Sequence, residues 1–317
     1  MAAYTRILHP TDFSESSESA LAAALDVARR QGAELHLLHV APTFGEDPLH
    51  SVYTAALDEK RFYRQLQDEA DARMIALINA HEATDLRIKR VHTHGPSPAP
   101  MIIAYAQDEN IDLIVIGTHG RRGLRRFLLG SVAEEVIRGA GCDVFAVRDH
   151  TRYEPAKRLL VPLDLTPTSG AQLKTAGVLA AMYGAAIDLL YVLPEPPLPA
   201  WGVDADVLYG LMPERKNEAI QTLEKLAAPL KEEGFVVRTV VEEGFASRVI
   251  HEVAERNFSD LIVIAPHSRS VVERFFLGSV TEWVIRHSER AVYIAHTSVA
   301  ESAETAPASG ASITTTS

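Results

Sequence analysis

The stretch whose residue types and spacing carry the most chemistry is Gly117-Thr-His-Gly120-Arg-Arg-Gly-Leu-Arg-Arg-Phe-Leu-Leu-Gly130-Ser131. It follows the apolar run Leu113 to Ile116 and ends where an amphipathic segment, Ser131 to Arg138, begins. Gly117 and Gly120 lack a Cβ, so the backbone there can turn left-handed and approach a ligand closely. Gly130 and Ser131 stand at a predicted helix N-terminus, where free N–H groups, a hydroxyl and the helix dipole favour an anion. Arg121, Arg122, Arg125 and Arg126 add positive charge, with no acid between Gly117 and Ser131. Together these features suit a phosphate chain. The spacing is neither that of a Walker phosphate loop nor the Gly-x-Gly-x-x-Gly of a dinucleotide fold.

Positioning such a loop needs a strand before it and a helix after it, and the sequence supplies both repeatedly. Ile7 to Leu8, Glu34 to Val40, Leu86 to His92, Leu113 to Ile116 and Val144 to Val147 are short and rich in β-formers. Between them, Ser14 to Arg30, about Ala55 to Ala80, about Pro98 to Glu109 and Ser131 to Arg138 place apolar residues at helical spacing. This alternation predicts a parallel α/β sheet with helices on both faces, whose ligands lie beyond the carboxyl ends of the strands where the strand order reverses. Ser14 or a neighbouring serine can cap the first helix. Asp12, at the end of the first strand, reads almost equally well as a cap or as a ligand contact.

The chain is this unit written twice. Arg126-Phe-Leu-Leu-Gly-Ser-Val recurs as Arg274-Phe-Phe-Leu-Gly-Ser-Val, and Asp112-Leu-Ile-Val-Ile as Asp260-Leu-Ile-Val-Ile. Near the start, the run ending in Asp12 recurs as the run ending in Asp164. Second-copy strands are expected at Leu159 to Val161, Ala186 to Val192, Val236 to Val241, Leu261 to Ile264 and Ala291 to Ala295. The domains implied are 1–150 and 156–298, with a small, polar tail, 299–317, too poor in apolar residues to order itself. Pro194 to Pro199 reads as a loop, or as a partner-recognition segment.

On Gly117, Gly120, Gly130 and Ser131, the chain resembles the universal stress protein family, whose nucleotide signature is Gly, two residues, Gly, nine residues, Gly, then Ser or Thr. Asp12 ending the first strand, Val40 ending the second and the Gly95-Pro96 turn after the third extend the resemblance, and it covers both halves. It implies tandem five-stranded open sheets of order 3-2-1-4-5 that bind ATP, alone or with Mg²⁺. Carried over position by position, Asp12 and Val40 would contact the adenosine end, while Gly117, Gly120, Gly130 and Ser131 hold ribose and phosphates. Thr11, His119, Arg121 and Val132 are their expected neighbours. A short carboxylate at a strand end can accept bonds from adenine or ribose, and a valine supplies an apolar wall.

The second copy departs from this pattern. Ala265 and Ser268 replace the two glycines and Glu273 replaces Arg125, although Asp164, Gly278 and Ser279 remain. A Cβ disfavours a left-handed backbone and obstructs approach to phosphate, which predicts weak or absent nucleotide binding there. The second copy would then supply a pairing surface, either as an intrachain pseudo-dimer or within a homo-oligomer.

Several other chemistries find no support. Lys plus Arg total 31 against 42 Asp plus Glu, a net charge of −11, so a nucleic-acid partner would have to rely on one short basic loop without aromatic platforms. With 47% hydrophobic and 23% charged residues, no spanning run and no signal peptide, the chain reads as cytoplasmic and membrane-free. Cys142, the single cysteine, lies in an apolar run and is read as structural. His9, His36 and His39 read as satisfied structural histidines. His92 and His94 share one face of a strand, but no third metal ligand is evident. No catalytic or metal-ligating residue is assigned. The expectation is an ATP-binding regulatory protein of the stress response with an unknown protein partner. Two alternatives stay open: a slow ATPase or autophosphorylating enzyme using His119, and a nucleotide-free assembly scaffold.

Overall fold

The computed structural model describes residues 3–43, 59–118, 129–148, 153–166, 169–195, 212–266 and 277–296. The first half runs β1 (Arg6–Pro10), α1 (Glu15–Gln31), β2 (Glu34–Pro42), α2 (Glu59–Ala80), β3 (Ile88–Gly95), α3 (Pro98–Asp108), β4 (Leu113–Gly117), α4 (Ser131–Gly139), β5 (Asp143–Val147). The second repeats it as β6 (Arg158–Leu163), α5 (Ser169–Tyr183), β7 (Ala186–Leu193), α6 (Met212–Glu232), β8 (Val237–Glu243), α7 (Ala246–Arg256), β9 (Leu261–Ile264), α8 (Ser279–His287), β10 (Ala291–Ile294). The third strand runs further than the apolar pattern predicts, because Thr93 and His94 continue the ladder with Val40 and Ala41. The tail and residues 196–199 of the proline-rich stretch lie outside the described residues. Among the described residues, no helix is long and apolar enough to cross a membrane.

Local signals set the ends of α1. The Ser14 side chain accepts from the Ser17 N–H at 3.3 Å, Glu15 and Glu18 occupy the first turn, and Arg29 and Arg30 the last. These charges complement the helix dipole. Gly32 stops the helix in the left-handed region at φ 64° and returns its N–H to the Ala28 carbonyl.

Each half-sheet is parallel and ordered 3-2-1-4-5, but the two halves do not remain separate sheets. β5 and β10 pair antiparallel, with Phe145 opposite Tyr293, to give one ten-stranded sheet ordered β3-β2-β1-β4-β5-β10-β9-β6-β7-β8. An isolated half would leave the backbone groups of β5 open along an apolar strand, and the other half closes that edge. One apolar layer packs Leu21, Leu25, Leu35, Leu179 and Leu189 between the sheet and α1, α2, α5 and α6. The opposite layer packs Leu8, Ile102, Ile137, Ile250 and Ile285 beneath α3, α4, α7 and α8.

Polar contacts cross the seam between the halves, among them the buried Arg148 donating to the Ile285 carbonyl. The Asp143 carboxylate accepts from Tyr293 Oη at 2.9 Å, Tyr4 Oη at 3.3 Å and the His296 N–H at 2.8 Å. Above it, α4 and α8 exchange ion pairs: Arg286 reaches Glu134 at 2.7 Å, and Arg138 lies 3.7 Å from Glu282. These four residues are equivalents of one another at the repeat offset, so the contact is self-complementary, as in a twofold interface. Further out, the buried Asp188 of β7 is held by Arg238 at 2.7 Å and by Arg158 and Asn257 at 3.3 and 3.1 Å.

Candidate functional site

The strand order reverses between β1 and β4. β1 pairs with β2 along its whole length, but with β4 only through Ile7 and Leu8. Beyond that point the two strands part, and a crevice opens at their carboxyl ends. The parting strips the Val115 carbonyl of a strand partner. His9 replaces it, donating from Nδ1 at 2.8 Å, with its Nε2 3.3 Å from Ser17 Oγ. The imidazole is fully buried, and burial lowers its pKa to about 4, so it is a neutral brace. In the second half the same carbonyl, that of Val263, receives Gln172 Nε2 at 2.9 Å from a helix instead. His9 is therefore a satisfied structural histidine, and so is His39, whose Nδ1 donates to the Thr11 carbonyl at 2.8 Å.

Asp12 and Thr11 stand at the rim of this crevice. The Thr11 N–H donates to the Leu38 carbonyl at 2.8 Å, continuing the β1–β2 ladder one residue past Pro10 toward Asp12, with Val40 two residues before the end of β2. Asp12 does not cap α1 itself. Its Oδ1 accepts from the Ser14 N–H at 3.0 Å and from Ser14 Oγ at 2.6 Å, bracing the residue that does. Between them Phe13 takes a left-handed conformation, φ 62°, its ring 4.7 Å from that of His39 and 4.2 Å from the Arg73 guanidinium. The Thr11 side chain points inward: buried, it accepts from the Phe13 N–H at 3.0 Å and from Ser17 Oγ at 2.8 Å. Val40 is buried beside Leu38, Ile116 and Leu129, an apolar wall under the rim.

Gly117 ends β4, and its role differs from the one its residue type predicts. Its φ is not among the positive ones. A Cβ there would lie 2.6 Å from the Ser16 carbonyl oxygen and 2.7 Å from Ser16 Oγ, so the glycine lets the first turn of α1 pack directly on the strand end. Gly130 also differs from expectation, because its N–H is used internally, donating to the Thr118 carbonyl at 2.7 Å. That bond pins together the two ends of the intervening loop. Gly130 is the N-cap of α4 and has no side chain to close it. The helical ladder begins with the Glu134 N–H to the Gly130 carbonyl at 2.9 Å, so the N–H groups of Ser131, Val132 and Ala133 have no partner within the helix. Ser131 is exposed there and Val132 half-buried. His119, Gly120 and Arg121, with the other arginines of the loop, lie outside the described residues, as do Ser268 and Glu273.

The second half keeps the brace and the open helix and loses the strand end. Asp164 Oδ1 accepts from the Thr166 N–H, Thr166 Oγ1 and Ser169 Oγ at 3.0, 2.6 and 3.1 Å. Gly278 caps α8 as Gly130 caps α4. Ala265, however, has the Cβ that Gly117 lacks. Pro266 stands where Thr118 donates its N–H to the Val147 carbonyl at 3.0 Å, a bond proline cannot make.

The remaining candidates resolve as structure. His36 Nδ1 lies 2.8 Å from Tyr105 Oη, and burial lowers its pKa. His92 Nε2 approaches Asp71 at 3.4 Å and His94 stacks on Tyr63 at 5.2 Å, with His39 lining the same small cavity. Among the described residues, no group of three His, Cys, Asp or Glu side chains is placed to hold a metal. Burial pushes the Cys142 thiol up to about 12 and keeps it protonated. Sequence reasoning missed Ser16, Thr118 and Gln172, whose roles lie in backbone contacts that residue types do not signal.

Comparison with known proteins bears on both halves. A family model described as the universal stress protein family matches residues 3–148 and again 155–296. A universal stress protein of Methanocaldococcus jannaschii is 31% identical over 156 residues, 46% of this chain and 95% of its own length. A putative universal stress protein of Staphylococcus aureus is 34% identical over 155 residues, 47% of this chain and 86% of its own. The crystal structure of a universal stress protein from Archaeoglobus fulgidus shares the fold across 93% of this chain and 98% of its own, with a TM-score of 0.66 at 20% identity.

Proposed function

The chain belongs to the universal stress protein family in both of its halves, and from that premise we propose that it is an ATP-binding regulatory protein of the stress response whose N-terminal domain holds the nucleotide. The feature that carries this reading is the set of groups at the carboxyl ends of neighbouring strands: the Asp12 carboxylate after β1, the buried Val40 on β2, and α4 after β4, whose N-cap Gly130 has no side chain to close it. Adenosine would lie against Asp12 and Val40. The phosphates, alone or with Mg²⁺, would meet the N–H groups of Ser131, Val132 and Ala133 together with the Ser131 hydroxyl. His119, Gly120 and Arg121 would flank them from the loop between Gly117 and Gly130. Both loop ends are pinned at Thr118 and Gly130, so occupancy would act by favouring one arrangement of the loop, and with it whichever partner recognises that arrangement. The second half, with Ala265 and Pro266 at the strand end, would serve pairing rather than binding.

The test is to denature freshly purified protein, identify the released nucleotide by mass and count it per chain, with Gly130→Glu and Gly278→Glu alongside. A carboxylate at the mouth of α4 opposes phosphate electrostatically. One ATP per chain, lost in Gly130→Glu and kept in Gly278→Glu, supports the proposal. Two per chain refutes the assignment to one domain. None, with no uptake on titration, refutes nucleotide binding altogether and leaves an assembly scaffold.

A further inference from the structure

The first turn of α4 contains an acid, Glu134, three residues past Ser131. Along a helix rising about 1.5 Å per residue, its Cα lies about 4.5 Å from that of Ser131 along the axis, near enough for its charge to act on a phosphate bound at the N-terminus. An uncompensated carboxylate there would oppose the anion that the helix end attracts. The described residues compensate it from two sides. Arg138, one turn on, reaches Glu134 Oε1 at 3.2 Å, and Arg286 of the second half donates to the same oxygen at 2.7 Å. Arg286 is itself steered by Glu282 at 3.1 Å. Side-chain exposures of 25% for Glu134 and 34% for Arg286 leave the pair only partly screened by solvent.

We propose that Arg286 is a positioning residue for the phosphate end of the N-terminal site. By turning Glu134 toward α8 and neutralising it, the second domain sets how much negative charge the first domain's helix accepts. The inference rests on the nucleotide reading above and deepens it: the half with the altered strand end is an electrostatic part of the other half's site. Removing Arg286 then weakens binding in proportion to ligand charge. A loss of packing would weaken all ligands alike.

The experiment titrates the full chain calorimetrically with adenosine, AMP and ATP in EDTA at low salt. It uses wild type, Arg286→Gln, Arg286→Lys, Glu134→Gln and the double variant Glu134→Gln/Arg286→Gln. Arg286→Gln should bind ATP about tenfold and AMP about threefold more weakly, with adenosine unchanged, and the loss should shrink in added salt. Arg286→Lys should stay within about twofold of wild type, because the charge is kept. The double variant should match Glu134→Gln to within about twofold, because the first turn of α4 then holds no carboxylate and Glu282, on α8, still has Arg138 beside it. An unchanged ATP affinity in Arg286→Gln, or equal losses for adenosine and ATP, would overturn the proposal while leaving nucleotide binding intact. A wild type that takes up none of the three ligands would overturn the nucleotide reading itself, and this inference with it.

Discussion

Asp143 and His296 meet at the seam with opposed titrations, and replacing either should expose the other. Burial pushes the Asp143 carboxyl up to about 6 from an ordinary 3.8, with Asp112 adding to the rise. A carboxyl raised in the folded state contributes stability that is full below its unfolded pKa and lost as pH rises through the folded one. At about 1.36 kcal/mol per pH unit, the loss between pH 4 and 6 is about 3 kcal/mol. Burial lowers His296 to about 4 from 6.5, so its contribution is present above pH 6.5 and lost as pH falls toward 4, again by about 3 kcal/mol. In the wild type the two slopes nearly cancel. Asp143→Asn keeps a polar group beside Tyr4 and Tyr293 and removes the charge. Its stability relative to wild type should therefore rise by about 3 kcal/mol from pH 4 to pH 6.5. His296→Leu should show the reverse, gaining on wild type by a similar amount as pH falls. Urea denaturation of the full chain, followed by circular dichroism at half-unit steps of pH, measures both differences. If both prove independent of pH, the two groups titrate normally and the seam is wetter than its packing implies.

Gly117→Ala should destabilise the nucleotide-free protein by about 2 kcal/mol, because the added Cβ meets Ser16 backbone that cannot swing aside; thermal unfolding without ligand measures it. Ala265→Gly in the second half, by contrast, should change stability by less than about 1 kcal/mol. His9→Phe leaves the buried Val115 carbonyl without its donor and should cost about 2 kcal/mol in denaturant unfolding, with no change for Gln172 in the other half. Asp188→Ala removes the common acceptor of Arg158, Arg238 and Asn257 and should cost about 2 kcal/mol, less than for a fully enclosed pair, because Arg238 can turn to solvent.

The repeat and the cap at Ser14 were legible because each follows from local periodicity or residue type, whereas the strand order within each half came only with the family resemblance. The join between β5 and β10 was not. Val144 to Val147 and Ala291 to Ala295 read as buried strands whatever they pair with, and no turn between them fixes a partner or a direction. Gly117 shows why glycine spacing alone misleads about cause: its position was legible, but the atom it makes room for belongs to Ser16, a hundred residues away in sequence. His9 and Gln172 show another limit. One parted carbonyl is served by a strand histidine in one half and a helix glutamine in the other, so comparing the two copies position by position hides a shared task. The reciprocity of Glu134, Arg138, Glu282 and Arg286 was written in the repeated motif, yet it acquires meaning only once α4 and α8 lie side by side.

The antiparallel join of β5 to β10 lies within one covalent chain, so dilution cannot separate its halves as it would two free subunits. At concentrations where two separate single-domain copies would part, this chain still presents both halves to each other at the high effective concentration of a tether. Neither half needs to keep a surface able to recruit an identical twin, and the two are free to diverge in sequence while the seam persists. The strand end of the second half, with Ala265 and Pro266, is the kind of change such a tether permits.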